Sequence, residues 1–95
     1  MGEENLYRLL KGCLAAGWEY RLLLSDARES IEKGDWSNAY RDILLALEIR
    51  GAIRMCGGRF EPLPPHEIED LFEGIRTRDK EKVLKILRVM ETWRF

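Results

Sequence analysis

The chain is expected to fold as an all-α protein, two antiparallel helical hairpins packed as a four-helix bundle. Three observations predict this. A helix–turn–helix pattern is written twice, over residues 27–46 and 71–90. Each copy turns at an Asp, Asp35 or Asp79, a residue type that caps the helix following it. Between the turns, apolar residues recur three and four positions apart, the period of a helix face.

The first helix is predicted over residues 3–33. Leu6, Leu10, Cys13, Gly17, Tyr20, Leu24, Ala27 and Ile31 form one seam, with steps alternating between four and three. Tyr7, Leu14, Trp18 and Leu22 form a second stripe on a neighbouring face. Gly12 and Gly17 are weak points at which this helix is open to bending. Gly34 ends it in a left-handed conformation.

The second helix, capped by Asp35, is predicted from Trp36 to Cys56. It also carries two stripes: Trp36, Ala39, Ile43, Ala46 and Ile53, and then Tyr40, Leu44, Leu47, Gly51 and Met55. A helix that is apolar on two sides is packed on two sides. One side faces the first helix, and the other must meet the second hairpin or another chain. Arg50 interrupts the first stripe level with Glu19. This predicts an ion pair across the hairpin, with a ligand-binding guanidinium as the alternative.

Residues 57–64 hold two Gly and two Pro and read as a loop. Pro65 opens the third helix at the position where proline is favoured. Its stripe is Ile68, Leu71, Phe72 and Ile75, and Glu67, Glu69 and Asp70 suit the positive end of its dipole. Thr77 and Arg78 make the turn, and Asp79 caps the fourth helix, with stripe Val83, Ile86, Leu87, Met90 and Trp93. The whole chain, 1–95, reads as one domain, with hairpins at 3–56 and 65–93.

Lengths expose a mismatch. At 1.5 Å per residue the first helix spans about 46 Å and the second about 31 Å. Leu6, Tyr7, Leu9 and Leu10 therefore overhang the first hairpin and need a cover. That cover is either the second hairpin or a second subunit.

Hydrophobic residues make up 45% and charged residues 35% of the 95, a folded-protein composition rather than a disordered one. Net charge is −1, with both signs spread over both halves, which argues against nucleic acid as a partner. No apolar run is long enough to span a membrane. The start, Met-Gly-Glu-Glu-Asn, is not a secretory signal, so a cytoplasmic location is expected. Cys13 and Cys56 fall level across the first hairpin. Two buried, reduced thiols are expected there, and a disulfide is the alternative.

No motif for a cofactor or a metal is present, so neither is expected. The one histidine, His66, reads as an exposed residue in the first turn of the third helix. Lys82 and Lys85, with Arg78 and Arg88, make a mildly basic face on the fourth helix, diluted by Glu81 and Glu91. Trp18, Trp36 and Trp93 lie on or beside stripes, which suits packing rather than base stacking.

The stretch Ser25-Asp26-Ala27, Glu32-Lys33-Gly34-Asp35-Trp36, Ala39, Ala46 and Gly57 resembles a hairpin of HEPN-like and related small archaeal helical proteins of unknown function. The resemblance covers roughly residues 20–60. It implies a helical bundle that often dimerises. Some members cleave RNA with an Arg and a His a few residues apart, a role the resemblance would give to Arg59 and His66 here. Pro62, Pro64 and Pro65 lie between them, a departure from the regular helix that carries the family motif.

The expected function is a small non-enzymatic protein–protein interaction module that forms a homodimer through Tyr7, Leu14, Trp18 and Leu22. The alternative is a HEPN-like RNA-processing or RNA-binding protein using Arg59 and His66.

Overall fold

The computed structural model describes residues 3–61 and 63–94, with side chains from Lys11 onward. Four helices follow in order: α1 (Glu3–Lys33), α2 (Trp36–Met55), α3 (Pro65–Thr77) and α4 (Lys80–Glu91). Two short strands, β1 (Arg59–Phe60) and β2 (Trp93–Arg94), pair antiparallel. The all-α expectation holds. α1 packs along α2, α4 packs on α1, and α3 packs on α4. The molecule is elongated, with extents of 50 × 25 × 15 Å.

α1 runs unbroken through Gly12 and Gly17. Its seam supplies Tyr20, Leu24, Ala27 and Ile31 to the core, against Ala39, Ile43, Ala46 and Ile53 of α2. Leu71 of α3 and Val83, Ile86, Leu87 and Met90 of α4 complete the same cluster. Among the described residues, thirteen mostly aliphatic side chains thus form one continuous core. The overhanging residues Leu6, Tyr7, Leu9 and Leu10 lie outside the described side chains.

Both hairpin turns have one geometry. Gly34 takes φ +79° and Arg78 φ +57°, each the left-handed residue that ends a helix. Asp35 N–H then donates to Ser30 C=O at 2.8 Å, and Asp79 N–H to Gly74 C=O at 2.8 Å. Gly34 N–H donates to Ile31 C=O and Arg78 N–H to Ile75 C=O. These paired bonds are the Schellman arrangement, which satisfies the last carbonyls of the helix. As predicted, each Asp caps the next helix: Asp35 accepts from Asn38 N–H at 3.3 Å, and Asp79 from Lys82 N–H at 3.2 Å.

Three sequence expectations are corrected. First, residues 57–64 are not all loop, and Trp93 is not on α4. α4 ends at Glu91, and Trp93 pairs with Phe60 across the ribbon. The chain reaches β1 through Gly58, where a Cβ would stand 2.3 Å from Ile53 Cγ2, so only glycine fits. Second, Cys13 and Cys56 are not free thiols. They form a disulfide, with Cα atoms 5.8 Å apart. The predicted register is correct, and it closes a loop spanning 43 positions of sequence. Third, Arg50 does not pair with Glu19, which is exposed. The Arg50 guanidinium meets Tyr20, one residue on.

Two measurements test this account. Asp79→Ala is expected to lower stability by about 0.5–2 kcal/mol in urea unfolding, because the Lys82 N–H at the start of α4 loses its acceptor. Replacing both cysteines by Ser is expected to cost about 4 kcal/mol on the chain-entropy view of a loop this long, read as a lower unfolding midpoint.

Candidate functional site

Two surfaces stand out, and they meet at Trp93. The first is the second stripe of α1. Leu14 and Trp18 are each 67% exposed, and Leu22 is 49% exposed. The spacing of four places all three on one face of the helix. A shallow groove of about 320 Å³ runs beside them, lined by Leu14, Gly17, Trp18, Arg21, Trp93 and Arg94. Tyr7, the fourth predicted member, lies outside the described side chains. The second stripe of α2 is also largely uncovered. Tyr40 touches Phe72 of α3 at 6.0 Å between ring centroids, but Met55 is 91% exposed. The second hairpin therefore covers that stripe only in part.

The second surface is built on the ribbon. Side chains directly opposite one another in an antiparallel pair share a face. Phe60 and Trp93 are partners and stack at 5.8 Å. Both rings meet the fully buried Tyr20 ring edge-on, at 5.5 and 5.9 Å. Arg59 and Arg94 are the other partners, and both are exposed. A cavity of about 410 Å³ lies along the ribbon, lined by Arg59, Phe60, Glu61, Thr92, Trp93 and Arg94.

Behind Phe60 lies Arg50, only 4% exposed. Its Nη1 donates to the Tyr20 hydroxyl at 3.0 Å, and its guanidinium stands 4.2 Å from the Phe60 ring centroid. Its Nη2 has no hydrogen-bond partner among the described residues. Desolvating a guanidinium costs several kcal/mol. The ring face and the phenol oxygen return only part of this, about 2 kcal/mol for a desolvated cation–π contact. The Tyr20 hydroxyl in turn donates to Met90 C=O at 2.6 Å. Burial pushes the Tyr20 phenol above its ordinary range, and the Arg50 guanidinium pulls the other way.

Other guanidinia crowd the same rings. Arg54 stands 5.7 Å from the Phe60 centroid, and Arg21 stands 5.3 Å from that of Trp93. The ion pairs among the described residues use Arg28 with Glu91, Lys33 with Glu29, Arg41 with Asp42, and Arg76 with Glu73. None of them neutralises Arg50, Arg54, Arg59 or Arg94.

The remaining predicted residues are dispersed. His66 is exposed in the first turn of α3 and does not line the cavity that Arg59 lines. Lys82 and Lys85 of α4 share a shallow cavity with Glu67 and Asp70 of α3, so acidic residues face that basic patch. Asp42 is buried beside the first turn. Burial raises its pKa against the pull of Arg41, and Asp26 and Asp35 add to the rise. Among the described residues no cluster of His, Cys, Asp or Glu has metal-binding geometry, and no helix is long and apolar enough to cross a membrane.

Sequence reasoning missed the ribbon site. Its only signal was a pair of mirrored dipeptides, Arg59-Phe60 and Trp93-Arg94. Comparison with protein-family models, curated proteins and solved structures finds no match.

Tyr20→Phe removes the acceptor of Arg50 and the donor to Met90 while keeping the ring. It is expected to destabilise the protein by about 1–3 kcal/mol, measured by urea unfolding, because a buried charge loses its partner.

Proposed function

We propose that the protein is a small helical interaction module that self-associates through α1. The observation that carries this reading is the exposed stripe Leu14, Trp18 and Leu22. Contiguous large apolar side chains on a soluble surface mark an interaction site. The stripe is symmetric in sequence about Trp18. An antiparallel two-fold pairing of α1 would set Leu14 against Leu22 of the partner subunit and Trp18 against Trp18 of the partner subunit. Two-fold symmetry is the commonest choice among homo-oligomers. Lys11 and Ser25, one turn beyond each end and exposed, supply the polar rim that surrounds such a patch. Packing of rows spaced by four residues suits a crossing angle of about −50°.

The role is that of a docking element rather than a catalyst. The interface should bury on the order of 1,000 Å² or more in total. Sedimentation of the wild-type protein is expected to show a dimer. Leu14→Glu with Trp18→Glu is expected to give a folded monomer with an unchanged far-UV spectrum. A wild-type chain that sediments as a monomer at high concentration sinks the reading. RNA cleavage by the wild type that is lost in both Arg59→Ala and His66→Ala would replace it with the HEPN-like alternative.

A further inference from the structure

The closed end of the first hairpin holds negative charge that the fold leaves unmatched. Residues three and four apart share a helix face. On α1 that spacing groups Asp26, Glu29, Ser30 and Lys33, and on α2 it groups Asn38, Arg41 and Asp42. With Asp35 of the turn, these two faces line a cavity of about 290 Å³. Every lining residue is polar. Four are carboxylates and two are cations, so the wall carries two negative charges in excess.

Local pairing does not absorb that excess. Glu29 is engaged by Lys33 at 2.8 Å, and Asp35 accepts from the backbone N–H and the side-chain amide of Asn38. Among the described residues, Asp26 and Asp42 accept no hydrogen bond. Asp42 is the independent observation. It is 8% exposed and lines the cavity. Its nearest cation is Arg41, whose Nε stands 4.0 Å away, beyond hydrogen-bond reach, on an exposed side chain. A carboxylate held out of water without a donor is costly. Burial raises its pKa, and the nearby Asp26 and Asp35 add to the rise.

We propose that this cavity binds a small aliphatic diamine, one ammonium group held by Asp42 and the other by Asp26. Charge decides the class, since two negative charges in excess call for a dication. Geometry decides the form of that dication. Among the described residues no three carboxylates converge as ligands of one metal ion, so the charge is met at separate points along the cavity. An ammonium group brings three donors and no acceptor, which suits a wall rich in unused acceptors. Size and lining decide the rest. The volume stands at the lower edge of small-molecule sites, and a wall without an apolar residue suits a short methylene chain rather than an apolar ring. The methylene stems of Lys33 and Arg41 are apolar contact enough for such a chain.

The test is calorimetric titration at constant ionic strength with three probes: 1,4-diaminobutane, butylamine and magnesium chloride. Diaminobutane is expected to bind saturably, and butylamine, with one charge, about tenfold more weakly or worse. Asp42→Asn and Asp26→Asn should each weaken diaminobutane about tenfold with an unchanged far-UV spectrum. Asp26 is exposed, so its variant tests the site even if the change at buried Asp42 disturbs folding. Arg41→Gln should tighten diaminobutane, a change of opposite sign that no loss of folding produces. Butylamine binding as tightly as the diamine assigns the site to a lone ammonium group and overturns the dication. Magnesium binding as tightly assigns it to a hydrated metal ion and overturns the amine. The site itself is overturned if diaminobutane does not bind, or if both Asp variants bind it like the wild type.

Discussion

The hydroxyl of Tyr20 donates to the carbonyl of Met90 and accepts from Arg50, while its ring meets Phe60 and Trp93 edge-on. One side chain of α1 thereby touches α2, α4 and both strands. Full burial makes each of these polar contacts obligatory, because an unmet group in a low dielectric is costly. The position of α4 along α1, the closure of the ribbon and the orientation of Arg50 all depend on this residue. The aliphatic core around it is interchangeable in detail by comparison, since volume and pattern are enough to fill it.

Helices and turns were legible because their signals are local and repeated. Asp35 and Asp79 each follow a residue in the left-handed conformation, and each caps a helix. Glycine at 34 made the first turn easy to read. Arg78 adopts the same conformation without a glycine, at a cost of about 1–2 kcal/mol. The capping Asp and the flanking stripes nevertheless marked that turn as well. Register was legible too, since a turn at Gly34 places residue 13 level with residue 56.

What failed was finer than register. Glu19 and Tyr20 are both level with Arg50, but adjacent residues point about 100° apart around a helix. Tyr20 belongs to the buried seam and Glu19 does not, so a pairing argued from level alone chose the outward residue. The ribbon was illegible because strands of two residues carry no period to detect. The cysteine bond was a matter of chemistry rather than geometry: the spacing permitted it, and compartment habit argued against it. The exposed face of α1 was visible in outline, because two stripes on each of two helices exceed what two short helices can cover. The arginines around the two rings were not visible as a group, since Arg21 comes from α1 and Arg50 and Arg54 from α2, and they meet only where Phe60 and Trp93 stack.

The bond between Cys13 and Cys56 also changes how force would travel through the molecule. A pull applied through residues on either side of the bonded pair passes directly through the sulfur–sulfur link. The α1–α2 hairpin from residue 14 to residue 55 lies inside the covalent ring and bears no tension. The mechanical load falls instead on the ribbon and on the seating of α3 and α4. Under stretching, the second hairpin is the yielding element and the first is a rigid anchor of fixed length. The α1 stripe from Leu14 to Leu22 lies wholly inside that anchor, so a partner gripping it would hold the part of the chain that does not extend.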